Sequence, residues 1–186
     1  MSAKKTKSQP AFHHHRLSSS RSIRLLALLP SLEFQSTLKV NLTEVALDNV
    51  SNDQNSYEAL SYVWGSRSGT EPIRCDDKLL LVTPNCESAL RHLRLKDTTR
   101  TLWVDSICID QENTTLSIEE RNAQVGLMGE IYKMAVRTLC WFGAGNAFTD
   151  ELMAYLERIG TCPSQRGLMK FLQFDGMSRN CKDNRR

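Results

Sequence analysis

The chain has 186 residues, 40% hydrophobic and 24% charged, which is enough for one domain with its own core. It holds no apolar run near the ~20 residues that a membrane-spanning helix needs. Its net charge of +3 is uneven: residues 1–24 carry six basic side chains and no acid, which leaves 18 basic against 21 acidic residues in the remainder. A folded part that is slightly acidic argues against a nucleic-acid-binding module, whose basic residues cluster on the fold itself.

Residues 1–20 are rich in Lys, Ser and His, lack periodicity and read as a disordered basic arm. Ile23–Leu29 is a short apolar run ended by Pro30, expected as a strand; no small-residue cleavage site follows it, so it is not a secretory signal. Leu38–Leu47 alternates, with Leu38, Val40 and Leu42 on one face and Lys39, Asn41 and Thr43 on the other, as a half-exposed strand does. A polar loop follows, then Tyr57–Trp64, rich in aromatic and branched residues and stopped by Gly65.

Ile73–Val82 predicts a hairpin turning at Cys75-Asp-Asp-Lys78. Thr83 is placed to cap a helix with Pro84 at its first position. Cys86, Ala89, Leu90 and Leu93 then recur at helical spacing. Thr101–Ile109 is expected as the central strand, with Asp105 inside the run and Asp110 just after it.

Ser117-Ile-Glu-Glu120 predicts a capping box, opening a helix to about Ala135. Val125, Met128, Tyr132 and Ala135, widened by Leu127, Ile131 and Met134, give that helix a broad apolar cover. Arg137–Phe142 reads as a strand ended by Gly143, and Thr149 or Asp150 starts a last helix with Leu152, Met153, Leu156 and Ile159 inward. Alternating strands and helices in the second half predict an α/β fold whose sheet is mostly parallel there, with helices on its faces. Ligands of such sheets bind outside the carboxyl ends of the strands.

The six cysteines include no CxxC pair, three of the four histidines are consecutive in the arm, and no zinc spacing exists. Unpaired thiols in apolar segments point to a reducing, cytoplasmic setting. There is neither a GxGxxG nor a GxxxxGK[ST] loop for a nucleotide. His92, the one histidine outside the arm, sits beside Arg91 on a helix and reads as a surface residue, so Ser-His-Asp and Cys-His catalysis have little support.

Taken together, the blocks Tyr57-Glu-Ala-Leu-Ser-Tyr-Val-Trp-Gly65, Val82-Thr-Pro-Asn85, Leu102-Trp-Val-Asp-Ser-Ile-Cys-Ile-Asp-Gln111, Glu120-Arg121, Gln124-Val125, Ile131-Tyr132 and Trp141-Phe-Gly143 resemble the fungal heterokaryon incompatibility (HET) domain. The resemblance covers roughly residues 21–158 and assigns 21–160 to that domain, with 161–186 as an irregular tail. It implies a flavodoxin-like sheet distantly related to TIR domains, and a role in fungal non-self recognition and programmed cell death. Protein partners of incompatibility signalling and self-association are the contacts it implies; no bound cofactor is expected, and charge and hydropathy already argue against nucleic acid and a membrane span. HET domains typically continue to a third block resembling W-x-x-Q-E, whose glutamate is the counterpart of the TIR catalytic residue. The sequence after Gly160 carries no such block, so the expectation is a domain cut short at its C-terminus and acting without catalysis. The alternatives are a TIR-like enzyme that takes NAD as substrate through Glu112, Glu119 or Glu120, or a non-functional truncated paralogue.

The candidate pocket residues are Ser61, Tyr62, Trp64, Gly65, Trp103, Asp105, Cys108, Asp110, Gln111, Arg121 and Gln124. Asp105 and Asp110 can line a polar pocket or serve local hydrogen bonds, Asp110 capping a turn and Asp105 accepting from backbone or from Arg121. Trp64 can stack on a ligand ring; equally, Tyr62 and Trp64 can be core aromatics. Arg121 and Gln124 are expected to face the two acids and fix the loop Glu112–Leu116.

Overall fold

A computed structural model describes residues 10–50, 55–65 and 69–145, together with 149, 151, 154, 155 and 158. Seven strands form one mixed sheet: β1 (Ser22–Leu28), β2 (Lys39–Ala46), β3 (Glu58–Tyr62), β4 (Glu71–Cys75), β5 (Lys78–Val82), β6 (Arg100–Val104) and β7 (Arg137–Trp141). The helices that flank it among the described residues include α1 (Pro84–Leu93), the single turn α2 (Asp105–Cys108) and α3 (Thr115–Met134). The predicted last helix and the tail after it lie mostly outside the described residues.

The strand order is β5-β4-β2-β1-β6-β3-β7. β3 pairs in parallel with β6 on one side and β7 on the other, with Leu60 opposite Val104 and Leu139. Numbered by appearance, these three strands stand in the order 2-1-3, as at the centre of a doubly wound sheet. β1 is antiparallel to both β6 and β2 and carries the sheet outward to the β4–β5 hairpin. The two strands of the second half, β6 and β7, both run parallel to β3, as the alternation of strands and helices predicted, while β6 is antiparallel to β1 and the sheet as a whole is mixed.

Side-chain alternation sends α1 and α3 to opposite faces of this centre. Tyr62 and Trp141 point toward α1, where Asn85 accepts from the Trp141 indole at 3.0 Å. Ala59 and Trp103 point the other way, and Trp103 packs edge-on against Tyr132 of α3 with ring centroids 5.5 Å apart. The core between these layers includes Leu26, Leu60, Leu90, Leu102, Trp103, Ile107 and Ile131, all at most 1% exposed.

Local chemistry accounts for the boundaries. Asp76 and Asp77 take φ of 48° and 62°, the two positive angles that a two-residue hairpin turn requires. The Thr83 hydroxyl accepts from the Cys86 N–H at 3.3 Å and caps α1, with Pro84 where a missing N–H costs nothing.

Four expectations are corrected. The strand expected over Thr101–Ile109 stops at Val104, because Asp105 turns its carboxylate onto the Ser106 N–H and starts a helical turn. α3 is capped by Thr114, which accepts from the Ser117 N–H at 3.1 Å, while the Ser117 hydroxyl goes instead to Asp110. In the apolar stripe of α3, Ile131 is buried and Leu127, Met128, Tyr132, Met134 and Ala135 pack against the core as expected, but Val125 is 56% exposed.

Residues 10–20, placed with a disordered arm, lie against the fold. Phe12 donates its N–H to Leu79 O at 2.8 Å beside a bridge from Ala11, and Ser18 binds Glu44 through both its N–H and its hydroxyl. The arm has no periodicity because it is anchored by individual polar contacts and a two-residue bridge rather than by a buried face.

Candidate functional site

The three parallel strands bring their carboxyl ends to one edge, where Trp64 follows β3, Asp105 follows β6 and Trp141 ends β7. The Trp64 indole N–H donates to both oxygens of Asp105 at 3.0 Å, and Oδ1 also accepts from the Ser106 N–H at 2.7 Å. Burial pushes the Asp105 carboxyl above the ordinary aspartate range, against the opposing pull of the Ser106 and Trp64 donors. A part-buried acid with a raised pKa at the strand ends of an α/β sheet is a physical reason to look for a site there.

Beside it, the Tyr62 hydroxyl and the Ser106 hydroxyl share a hydrogen bond at 2.5 Å. Ser106 lies 3.8 Å from the Cys86 sulfur. Burial raises the pKa of both Tyr62 and Cys86, which favours the neutral phenol and the neutral thiol over the charged forms. Asn85 ties this edge together from α1, donating to Val63 O at 2.5 Å and accepting from Trp141 at 3.0 Å. His92, expected at the surface, is instead packed between Phe34 and Trp141, with ring centroids at 5.2 and 5.0 Å. Gly65 leaves the strand end with φ +70°, and Val63 is 73% exposed.

Asp110 belongs to a different cluster. Its Oδ1 accepts from the Glu112 N–H at 2.9 Å and lies 3.6 Å from the His14 ring. Oδ2 accepts from the Ser117 hydroxyl at 2.8 Å. Arg121, expected to face Asp105 and Asp110, pairs with neither; Arg24 of β1 holds the neighbouring Glu120 with N–O distances of 2.6 and 2.9 Å and also donates to Cys108 O. Arg121 is half-buried and makes no ion pair among the described residues. His14 binds Ile107 O at 2.7 Å; burial, chiefly, and the neighbouring Arg24 hold its pKa below the ordinary value against the pull of that carbonyl, Asp110 and Glu120.

Between this arm and the start of α3 lies an open cavity of about 370 Å³ whose wall includes Asp110, Glu112, Glu119, Glu120 and Gln124. Gln124 is 1% exposed and donates to Ser22 O at 2.9 Å.

The candidate residues thus fall into two groups and a remainder. Tyr62, Trp64 and Asp105 meet at the strand ends, whereas Asp110 and Gln124 meet around the cavity. Gln111 links them, reaching Asp105 O at 3.4 Å and Ile109 O at 3.2 Å. Trp103 and Cys108 are core residues; the Cys108 thiol accepts from the Val104 N–H, and burial pushes it up to about 12. Ser61 is exposed on β3. Sequence reasoning missed Arg24, His14, Asn85 and Ser106 as site residues. Asn85 had a signal, standing directly after Thr83-Pro84, but Arg24 and His14 acquire their roles only through tertiary contacts.

Among the described residues, no group of three His, Cys, Asp or Glu side chains can hold a metal ion. No helix there is long and apolar enough to cross a membrane.

The sequence model of the family described as "Heterokaryon incompatibility protein (HET)" matches residues 57–178, which include β3, β6, β7 and both clusters except His14 and Arg24. A curated relative, "Heterokaryon incompatibility protein 6, OR allele" of Neurospora crassa, is 34% identical over 118 residues, covering 56% of this chain and 17% of the relative. The chain therefore spans only a small part of that relative's length. No solved structure matches.

Proposed function

The chain belongs to the heterokaryon incompatibility (HET) family, and on that premise we propose that it is a cytoplasmic signalling module of fungal non-self recognition whose engagement leads to cell death. The observation that carries the reading is the family match across residues 57–178, which takes in all three parallel strand ends together with α1 and α3. In this proposal the module works by contact with protein partners, or with further copies of itself, and not by catalysis. Two placements support that part: Asp105 is engaged by Trp64 and Ser106, and Glu120 is engaged by Arg24.

The test is inducible expression in fungal hyphae of matched and mismatched incompatibility type. Death confined to one background, and lost in the Trp64→Ala variant at equal protein level, is the expected result. Indifference of every background to the protein overturns it.

A second reading, a TIR-like NAD-cleaving enzyme, draws support from one placement: Glu112, Glu119 and Glu120 all line the same cavity. The 2-1-3 order of the parallel strands agrees with a TIR-like, flavodoxin-like sheet. Incubation of purified protein with NAD separates the two readings. Nicotinamide release that disappears in a Glu119→Gln variant favours the enzyme; an unchanged NAD pool favours the contact module.

A further inference from the structure

We propose that the outward face of α3 is a self-association surface, on which α3 of a second copy of this chain packs antiparallel, centred on Gly126. The proposal rests on the preceding reading, in which copies of the module engage one another, and names the surface they use.

The side of α3 that meets the sheet is narrow. Its buried residues, Ser117, Gln124 and Ile131, recur at every seventh position and lie along one line of the helix. Ile118, Asn122, Val125 and Gly129 follow the i, i+4, i+7, i+11 spacing of a second line, turned away from the first. On that line Val125 is 56% and Ile118 42% exposed, and Asn122 and Gly129 are exposed with them. Branched apolar side chains thus stand on the face of α3 that the described residues leave bare.

Two glycines supply the second observation. In an exposed helix interior only proline is less favourable than glycine. Yet at both Gly126 and Gly129 an added Cβ would meet nothing within 4 Å beyond the helix's own backbone. The packing of the described residues therefore does not call for glycine at either place. The missing side chains leave a gap beside Val125, and the distance at which two helices pack is set by the side chains at their contact. A gap of this kind admits the backbone and side chains of another helix.

The charges name the occupant. Glu119 and Lys133 are exposed, and neither forms an ion pair among the described residues. Glu119 stands seven residues before Gly126 and Lys133 seven after it, which is about 10 Å each way along the helix. A second α3 running antiparallel about that point brings each Glu119 opposite the Lys133 of the other copy, so one self-complementary surface makes two opposite-charge pairs. The same alignment sets Val125 against Val125 and lays each Asn122 over the gap at the other copy's Gly129. A parallel copy would set like charge against like. Glu130, the other acid along this side, is already held by Arg21 at 2.9 Å. With one unpaired charge of each sign, the face complements itself better than it complements a strongly charged foreign partner.

The experiment is sedimentation equilibrium of the purified full chain. One helix pair is a small interface, so a monomer–dimer equilibrium with Kd on the order of 10–100 μM is expected. Glu119→Lys and Lys133→Glu should each weaken it about tenfold, and the double variant carrying both should return to within about threefold of the wild type. Gly129→Ala should weaken the dimer by about tenfold while raising the Tm of the monomer, since it removes a glycine from a helix interior, so lost association is not lost folding. A chain that stays monomeric up to about 200 μM overturns the proposal and leaves the face to a different partner. A dimer indifferent to the charge reversals overturns it too, as does a double variant no tighter than the singles. None of these outcomes bears on the cell-death reading, which is decided by expression in hyphae.

Discussion

Trp64 and Asp105, residues from the ends of two neighbouring parallel strands, are joined by one indole N–H shared between both carboxylate oxygens at 3.0 Å. This bond fastens the exposed end of β3 to the turn that follows β6. It also explains how an acid can sit directly after five strand residues that are mostly buried. The carboxylate is not left unpaired; its lone pairs meet an indole and a backbone N–H.

Trp64→Phe keeps the ring and removes the donor, and should lower unfolding free energy by about 1.5–3 kcal/mol, the range for hydrogen bonds to charged groups. Asp105→Asn should cost less, since its amide oxygen can still accept from the indole. The pH response separates the two. The folded-state pKa of Asp105 is raised, so the folded protein binds more protons than the unfolded one between the two values. Its contribution to stability therefore falls as pH rises through that window. Urea titrations across the carboxylate range should show this decline in the wild type and its loss in Asp105→Asn.

Glu58 gives the opposite sign. It lies on β3 between Arg100 of β6 and Arg137 of β7, and both donate to its carboxylate. Burial pushes its pKa up, but the two guanidinium partners outweigh that and hold it below the usual glutamate range. Its contribution is present above the unfolded-state value and is lost as pH falls through the folded one. Glu58→Gln leaves two guanidinium groups facing a neutral amide at the base of the parallel strands. A loss of about 3–5 kcal/mol is expected, with a shallower acid limb in the variant's stability-against-pH curve.

Arg24 and Glu120 form the pair that closes the sheet onto α3, with side chains only 6% and 12% exposed. Arg24→Met should strand a nearly buried carboxylate and cost about 3–5 kcal/mol by chemical denaturation. The double variant Arg24→Met, Glu120→Leu should recover much of that loss, because the stranded charge is gone. A double variant as unstable as the sum of its singles would show that packing, and not the ion pair, is the main contribution.

Legibility in the sequence followed the range of the interaction. β2 was readable because alternation is a property of adjacent residues, and α1 because Thr83, Pro84 and Cys86 lie within one turn. The β4–β5 turn was readable for the same reason. The boundary of β6 was not, since Asp105 ends the strand by a local bond that apolar patterning does not register. The choice of Thr114 over Ser117 as cap depended on Asp110 claiming the Ser117 hydroxyl. Asp105 and Asp110 looked like one pair in the sequence, yet a helical turn separates them into two clusters. Arg24 reaches Glu120 across 96 positions of chain, and no local pattern distinguishes it from the other basic residues near the N-terminus.

His14 anchors the N-terminal arm and makes that attachment sensitive to pH. Its Nε2 must carry the proton, because it faces the Ile107 carbonyl at 2.7 Å, and its Nδ1 lies 3.6 Å from Asp110. Burial is the main cause of its lowered pKa, so the neutral ring is the form the folded arm prefers. Between the folded value and the ordinary 6.5 the detached arm binds more protons, and attachment therefore strengthens as pH rises and weakens as pH falls. Hydrogen exchange at the amides of Phe12 and Ser18, corrected for the intrinsic pH dependence, should accelerate below the ordinary histidine pKa while Leu26 on β1 stays protected. In a His14→Gln variant the arm amides should exchange at a corrected rate that no longer changes over that window. Equal pH dependence in the variant and the wild type would place the sensitivity elsewhere, with the exposed His13–Glu112 pair as the next contact to test.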